Sequence, residues 1–318
     1  MNPPPILLLH GLLPGIRKEL AKRYTVVGPS STPLQTLAES GLADRIRIAM
    51  TIGGAGLSPE IMAAMPALDL CCAYSAGYDR ADVAALKARG IRLITAKGAN
   101  ASCVADMAMT LLLAGVRRLR ESEDYIRDGQ WNRVPPPDWK TDPGFGDRRL
   151  GVLGLGEIGL KTAKRAASFE LEIGYHNRKP RRDVDYRYFE DLDSLAEWAD
   201  YLVVACPLTE ATRHAVNAKV LEKLGPRGFL VNVARGAIVD EAALVAALRS
   251  GAIAGAGLDV FEHEPVVPEA LRGMRNVVLT PHMGALTERA IREIDRRILA
   301  NLDAFETGKP LLTPVDLG

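Results

Sequence analysis

The chain has 318 residues, of which 47% are hydrophobic and 25% are charged, and its formal net charge is +1. This length suggests about two globular domains, and the nearly balanced charge provides no basic field to attract nucleic acid or a membrane surface. No apolar run reaches the ~18 residues of a membrane span, and the N-terminus lacks the basic segment of a secretory signal, so we expect a soluble, cytoplasmic protein.

The N-terminal part of the chain alternates short apolar runs with helical segments. Strands are predicted at 6–9, 26–27, 46–51, 70–74 and 91–94. Helices are predicted at 13–24, 58–64 and 80–89. This alternation is typical of an α/β domain with a parallel sheet and covering helices.

A long helix is predicted from Ala101 to Asp128, with Asn100 as its N-terminal cap. Its centre, residues 104–116, is apolar nearly all round, which indicates burial on more than one side and leaves a face that a partner subunit could cover. The proline-rich stretch 134–146 that follows cannot continue the helix.

A second strand–helix series begins at Leu150 and predicts a second parallel sheet. Its strands are expected at 150–153, 172–176, 201–206, 229–233, 256–260 and 277–280. Its helices are expected at 158–168, 194–198, 218–224 and 241–250, followed by a last helix at 288–307.

The four cysteines predict free thiols rather than a site. No two of them have the CxxC spacing of a zinc site or a redox pair. Cys71 and Cys72 are adjacent in an apolar run, and Cys103 and Cys206 are isolated. We therefore expect buried, reduced thiols and no bound metal.

A glycine-rich loop follows the first strand of the second series and opens a helix, which is the context of a dinucleotide site. In this pattern Gly154 makes the turn, Gly156 admits the pyrophosphate, and Gly159 lets the helix pack on the strand. A tight turn without a ligand is the alternative. The predicted cofactor contacts are Gly154, Leu155, Gly156, Glu157 and Ile158.

The turn after the next strand distinguishes the two nicotinamide cofactors. An NAD site would offer a carboxylate there for the ribose, but Asn177, Arg178 and Lys179 occupy this turn and no acid appears before Asp183. Arg178 can hold a 2′-phosphate with paired N–H donors, and Lys179 or Arg181 could add charge. The pattern favours NADP(H), with a solvated basic turn as the alternative.

Three predicted strand ends each deliver one polar residue, namely Arg235, Glu264 and His282. Reduction of a ketone needs a cation that polarises the carbonyl and an acid that protonates the new alkoxide. Arg235 suits the first role and His282 the second, and Glu264 would keep the imidazole protonated. Taken singly, each has an ordinary alternative: a surface histidine, a salt-bridge arginine, or a solvated carboxylate at Glu262 or Glu264.

These motifs resemble the D-isomer-specific 2-hydroxyacid dehydrogenases, and among them the NADP-dependent glyoxylate/hydroxypyruvate reductases. The resemblance spans nearly the whole chain, and its marks are the segments 151–159, 232–236, 259–265 and 280–282. It implies that Arg235, Glu264 and His282 form the catalytic set, with His282 as the general acid/base.

The resemblance also implies further contacts. Asp259 would face the nicotinamide carboxamide, and Pro207 and Thr212 would lie along the cofactor. The backbone N–H groups of Ala76 and Gly77 would bind the substrate carboxylate. The remaining expected contacts are Gly53 and Gly54 for substrate, and Cys206, Val233, Ala234, His282 and Gly284 for cofactor.

For the fold, the resemblance implies two doubly wound parallel-sheet domains. A Rossmann NADP-binding domain, residues 99–286, would be inserted into a flavodoxin-like substrate domain made of residues 1–98 and 287–318. The helix at 100–128 would form a homodimer. The chain departs from the usual pattern at Glu157, where relatives often carry arginine, and at the basic turn.

The expected function is NADPH-dependent reduction of small 2-oxo acids such as glyoxylate and hydroxypyruvate. A bulkier substrate such as an aryl pyruvate is an alternative, because Gly53, Gly54 and Ala55 leave room for it. A more distant alternative is an NADP(H)-sensing binding protein with little turnover, against which the complete Arg, Glu and His set argues.

Overall fold

The structure is a computed structural model that describes residues 3–12, 14–52, 56–79, 81–132 and 144–317. The chain divides into two compact units: unit 1 is Met1–Asn100 with Glu288–Gly318, and unit 2 is Ala101–Thr287. The domain boundaries expected from the sequence lie within two residues of these. The assignment of substrate to one unit and cofactor to the other stays a prediction.

Unit 1 is built on one parallel sheet. Its strands are β1 (Pro5–Leu8), β2 (Thr25–Val27), β3 (Ile48–Thr51), β4 (Leu70–Ala73) and β5 (Arg92–Thr95). Its helices are α1 (Pro14–Ala21), α2 (Pro33–Ser40), α3 (Pro59–Ala63), α4 (Val83–Ala88) and α12 (Glu288–Glu306). The strand order β2-β1-β3-β4-β5 is that of a flavodoxin-like doubly wound sheet, so this part of the fold prediction is confirmed.

Both faces of this sheet are covered, because successive strand residues point to opposite sides. The adjacent cysteines of β4 show it: Cys72 packs with Ile94 and Ile298, whereas Cys71 packs with Leu86 on the other face. All four cysteines of the chain are buried and free, as predicted. Burial raises the pKa of Cys71 to about 12 and that of Cys206 to about 11.

Unit 2 contains a seven-stranded parallel sheet. Its strands are β6 (Arg149–Leu153), β7 (Glu172–His176), β8 (Arg187–Phe189), β9 (Tyr201–Val204), β10 (Phe229–Asn232), β11 (Gly255–Leu258) and β12 (Val277–Leu279). The order β12-β11-β10-β9-β6-β7-β8 is a Rossmann order with one added strand. The direction of winding reverses between β6 and β9, and ligands bind beside such a switch point.

The helices of unit 2 cover that sheet. They are α5 (Ala101–Val116), α6 (Leu119–Arg127), α7 (Glu157–Ala167), α8 (Leu192–Trp198), α9 (Ala218–Leu224), α10 (Glu241–Ser250) and α11 (Glu269–Gly273). The α5 helix packs against α7 and the strands β10, β11 and β12, which explains its apolar surface. Across the described ranges, no helix has both the length and the apolar character that crossing a membrane requires.

The prediction of a single long helix from Ala101 to Asp128 is wrong. Arg118 takes a left-handed backbone conformation, with φ of 48°, and separates α5 from α6. Eight residues of α5 are buried, whereas α6 has no buried residue. The two helices therefore differ in how they pack against the rest of unit 2. Asn100 is not the predicted cap either, since its buried Oδ1 has no hydrogen-bond partner among the described residues. The homodimer stays a prediction.

Candidate active site

Three polar residues follow neighbouring strands of unit 2. The strands β10, β11 and β12 are adjacent and parallel, so their carboxyl ends lie along one edge of the sheet. Arg235 follows β10, Glu264 lies in the loop after β11, and His282 follows β12. The fold thus collects the arginine, the carboxylate and the imidazole at the edge where open α/β sheets bind ligands.

His282 and Glu264 are directly hydrogen-bonded. The imidazole Nδ1 lies 2.7 Å from Glu264 Oε2, and the other carboxylate oxygen accepts the backbone N–H of Phe261 at 3.1 Å. The His282 side chain is 48% exposed, and no described residue is bonded to its Nε2. The ring is therefore held through Nδ1, and Nε2 is left without a partner among the described residues.

The pair perturbs both proton affinities. The hydrogen bond to Glu264 raises the pKa of His282 and outweighs burial, which lowers it; the charge of Glu264 also raises it, whereas that of Arg235 lowers it. Burial raises the pKa of Glu264, but the hydrogen bond and charge of His282, with the charge of Arg235, hold it below its usual range. Both shifts favour an ionised Glu264 beside a protonated His282.

Asp259 fixes the loop that carries His282. Its buried carboxylate accepts the hydroxyl of Thr280 at 2.6 Å and the backbone N–H groups of Met283 and Gly284, each at 2.9 Å. A Cβ on Gly284 would lie 2.9 Å from Asp259 Oδ2, so glycine permits this close approach. The expected contact of Asp259 with a nicotinamide carboxamide stays a prediction.

The loop also strains His282 itself. Its backbone φ is 50°, a conformation that is uncommon for residues other than glycine. Its N–H donates to Asp259 O at 2.8 Å and to Thr280 O at 3.1 Å, which holds it there. Strained residues of this kind cluster at functional sites, where the surrounding structure enforces their geometry.

The turn that carries Arg235 is shaped by Asn232, whose bracing role the sequence did not indicate. The buried Asn232 amide accepts the N–H of Ala234 at 3.0 Å and donates to Arg235 O at 2.9 Å. The Arg235 guanidinium donates to Ala234 O at 2.7 Å. Val233 and Ala234, both predicted to contact cofactor, are buried in this turn.

Gly236 brings the turn after β10 against the loop after β11. A Cβ at this position would lie 1.9 Å from the carbonyl carbon of Phe261 and 2.3 Å from Glu262 N. Real atoms do not approach so closely, so any side chain here would push the two loops apart. The proximity of Arg235 to Glu264 therefore depends on this glycine.

A second histidine–carboxylate pair lies beside the first. His214 Nε2 is 2.7 Å from Glu262 Oε1, and Glu262 N donates to Glu241 Oε1 at 2.9 Å. The two acids flanking His263, which the sequence left open as solvated carboxylates, thus each have a histidine partner. Glu262 bonds to His214, and Glu264 bonds to His282.

The glycine-rich loop fits a dinucleotide phosphate. Gly154 has φ of 96°, and a Cβ there would lie 2.6 Å from Cys206 Cα, while a Cβ on Gly159 would lie 2.1 Å from Gly154 O. In contrast, a Cβ on Gly156 would meet nothing within 4 Å. Gly156 caps α7, so open space adjoins the unpaired N–H groups of the helix start, including those of Glu157 and Ile158.

The turn after β7 divides its polar residues between two tasks. Asn177 Oδ1 accepts the N–H of Leu155 at 2.7 Å and so braces the phosphate loop. Arg181 donates to Leu155 O at 2.8 Å and pairs with Asp183, which occupies the guanidinium. Arg178 and Lys179 are exposed and form no ion pair with a described residue. Arg182 in the same turn is exposed as well, and a contact of Arg178 or Lys179 with a 2′-phosphate stays a prediction.

The loop after β9 adjoins the phosphate loop. Cys206 is buried beneath Gly154, so it supports that turn. The hydroxyl of Thr212 donates to Pro207 O at 2.8 Å and accepts the N–H of Thr209 at 2.7 Å, which closes a compact turn. Pro207 and Thr212 thus lie in one braced segment, and their cofactor contacts stay predictions.

The predicted substrate residues Ala76 and Gly77 lie in unit 1, in the turn after β4. No described residue accepts a hydrogen bond from either backbone N–H. Gly53 and Gly54, predicted to line the same pocket, lie outside the described residues. Within the described residues, no cluster of His, Cys, Asp and Glu side chains could hold a metal ion.

Comparison with known proteins identifies relatives along the whole chain. Residues 109–284 match the sequence model of the D-isomer specific 2-hydroxyacid dehydrogenase NAD-binding domain. A hydroxyphenylpyruvate reductase of Plectranthus scutellarioides is 39% identical, and glyoxylate/hydroxypyruvate reductase A of Arabidopsis thaliana is 38% identical; in both cases 98% of each chain is covered.

Solved structures share the architecture. The NADPH-dependent glyoxylate/hydroxypyruvate reductase of Sinorhizobium meliloti, in complex with NADP and malonate, is 37% identical, with a TM-score of 0.89 over 99% of this chain and 97% of that one. A 2-hydroxyacid dehydrogenase of Ketogulonicigenium vulgare is 36% identical, with a TM-score of 0.90 and 99% coverage of both chains. From its motifs, its two parallel sheets and these relatives, this chain belongs to the D-isomer-specific 2-hydroxyacid dehydrogenase family.

Proposed function

We propose that this protein reduces small 2-oxo acids, such as glyoxylate and hydroxypyruvate, to 2-hydroxy acids with NADPH as the reductant. The observation that carries the proposal is the bond between His282 Nδ1 and Glu264, which leaves Nε2 without a partner among the described residues, at the sheet edge that also holds Arg235. The glyoxylate/hydroxypyruvate reductases among the relatives support the substrate class.

The roles follow from the charges. When bound, the nicotinamide supplies the hydride that reduces the carbonyl carbon next to the carboxylate. Arg235 would hold the substrate carboxylate and polarise the carbonyl. His282 would give its Nε2 proton to the carbonyl oxygen as the negative charge develops there. Glu264 would stabilise the imidazolium before transfer and keep the ring in its orientation.

The substrate choice is tested with a panel of 2-oxo acids under both NADPH and NADH. We expect the highest kcat/KM with glyoxylate or hydroxypyruvate and NADPH. The hydroxyphenylpyruvate reductase relative makes an aryl pyruvate the second candidate, and a preference for phenylpyruvates would select it. Tight NADPH binding without turnover of any 2-oxo acid would instead favour the binding-protein alternative.

Arg178→Ala is expected to weaken the binding of NADPH while leaving the binding of NADH nearly unchanged. The exposed guanidinium is proposed to meet the 2′-phosphate, and losing charge-assisted hydrogen bonds of this kind should raise KM for NADPH about tenfold to a hundredfold. Steady-state kinetics with both cofactors measure the ratio. Arg272→Ala removes an exposed arginine of α11, outside this turn, and serves as the control. Equal losses with NADPH and NADH would contradict the phosphate contact.

Glu264→Gln is expected to shift the pH dependence of reduction. Reduction needs protonated His282, whose pKa Glu264 raises, so the wild-type rate should fall only as the pH rises through that raised pKa. Without the carboxylate the pKa drops, and the decline should begin at lower pH. Oxidation of the 2-hydroxy acid needs the neutral ring, so its rate should rise over the same range.

The matched control is Glu262→Gln, which makes the same change two residues away on the acid that pairs with His214. The measurement is kcat/KM against pH for wild type and both variants. If the two variants shift the profile equally, or Glu264→Gln does not shift it, Glu264 does not set the protonation of His282.

A further inference from the structure

The turn after β4 in unit 1 is anchored on both sides. Tyr74 N–H donates to Thr51 O at 2.7 Å, and Ser75 O accepts the N–H of Ala96 at 2.7 Å. The Ser75 hydroxyl donates to Gly77 O at 2.6 Å, which gives that carbonyl a partner within the turn. The backbone from Tyr74 to Gly77 is therefore fixed by partners on either side of β4.

This anchoring leaves two donors unused. The N–H groups of Ala76 and Gly77 have no acceptor among the described residues, and both side chains are small enough to admit a close contact. Successive unpaired N–H groups in a turn bind anions such as a carboxylate. Under the proposed function, on which this inference rests, that anion is the substrate carboxylate.

A side-chain contact adds a third anchor from a remote part of the sequence. The Tyr74 hydroxyl donates to Asp295 Oδ1 on α12, across a sequence separation of 221 residues. The Tyr74 ring packs against the unit 1 core that includes Ile298, and both partners are only partly exposed. The other carboxylate oxygen faces the start of α1, where a Cβ on Gly15 would lie 3.7 Å away.

Partial burial strengthens the hydrogen bond between Tyr74 and Asp295. It raises the pKa of Tyr74, an effect that the Asp295 bond adds to, and it raises the pKa of Asp295 against the lowering effect of Tyr74. A partly desolvated hydrogen bond of this kind resists competition from water. It ties the residue that begins the turn to the helix packed against the sheet.

We propose that Tyr74 and Asp295 are positioning residues for substrate binding: their bond sets the direction in which the turn presents the N–H groups of Ala76 and Gly77. Neither side chain need touch the substrate. Two N–H donors recognise a carboxylate only when both point at it, and small displacements of such groups weaken binding strongly. The pair should therefore control the affinity for the carboxylate rather than the rate of the bound complex.

The test uses Tyr74→Phe, which removes one oxygen, and Asp295→Ala, which removes the acceptor. We expect each variant to lower the affinity for oxamate, an unreactive analogue of a 2-oxo acid, about tenfold. The affinity is measured by calorimetric titration of the NADPH complex. KM for the 2-oxo acid should rise in parallel, with kcat and KM for NADPH unchanged. The double variant should be no weaker than either single one, because both remove the same bond.

Two further variants separate positioning from general stability. Asp295→Asn keeps an oxygen acceptor for the Tyr74 hydroxyl and should restore oxamate affinity. Glu288→Ala alters a fully solvated side chain on the same helix and should leave binding unchanged. If Tyr74→Phe and Asp295→Ala bind oxamate like the wild type, or lose melting temperature without losing oxamate affinity, the positioning role is overturned.

The same titration distinguishes this inference from the proposed function. A wild-type protein that binds oxamate but reduces no 2-oxo acid would contradict the reductase assignment. The oxamate affinities of the variants would still test the positioning role in that case. A wild-type protein that does not bind oxamate in the presence of NADPH would overturn the positioning role.

Discussion

His282→Ala is expected to lower kcat for 2-oxo acid reduction by about a hundredfold to ten-thousandfold, while NADPH binding is retained. The imidazole is the proposed proton donor, its Nδ1 is held by Glu264, and its Nε2 has no partner among the described residues. Alanine removes the proton but leaves Arg235 in place. The measurement is kcat at saturating substrate together with the dissociation constant of NADPH from fluorescence titration.

The control for this variant is His263→Ala, which removes a histidine from the loop that carries Glu264. It should keep most of the activity, because only the pair formed by His282 is proposed to transfer a proton. A His282→Ala enzyme that retains most of its rate would remove His282 from the mechanism. The proposed reduction would then need another proton donor beside Arg235 and Glu264.

Gly236→Ala is expected to disrupt the site without touching a functional group. The new methyl would lie 1.9 Å from the carbonyl carbon and 2.1 Å from the carbonyl oxygen of Phe261, so one of the two loops must move. Either movement separates Arg235 from Glu264. We expect kcat/KM to fall about a hundredfold, because displacements of about an ångström cost that much in positioned catalysis.

The comparison is Gly273→Ala, since a Cβ on Gly273 would meet nothing within 4 Å. That variant should retain full activity and an unchanged melting temperature. Thermal melts and kinetics of both variants separate misfolding from local displacement. Unaltered kinetics in Gly236→Ala would show that the two loops can separate without affecting the chemistry.

Much of the fold follows from local sequence patterns. The bounds of β7, α9 and α10 match the prediction residue for residue, because apolar periodicity and flanking caps are encoded locally. Strand β8 was missed, since three residues at a sheet edge carry too little pattern. Helix α2 was missed although Pro33 at its start and Gly41 at its end are recognisable signals.

Features set by packing escaped prediction. The two residues between α5 and α6 are arginines, and Gly115 near the end of α5 lies against the Phe229 ring. The burial of α5 against its sheet, with α6 left uncovered, distinguishes the two helices. Arg118 adopts a left-handed backbone conformation at this break. Local propensity therefore predicted one continuous helix.

For the candidate site, the sequence indicates which residues meet but not how they pair. Parallel neighbouring strands bring Arg235, Glu264 and His282 to one edge, so their approach could be expected. Which acid bonds to which histidine depends on the loop conformation that directs Glu262 and Glu264 to different partners. No sequence spacing could reveal that.

The burial of all four cysteines gives the folded protein a built-in reporter of its own opening. A thiol reagent needs an accessible thiolate, and in the native state these thiols are shielded, with burial raising the pKa of Cys72 well above normal. Alkylation must then wait for local or global unfolding. Cys71 and Cys72 lie in unit 1, whereas Cys103 and Cys206 lie in unit 2. Peptide mapping of the labelled thiols would therefore report the opening rate of each unit separately in a single reaction.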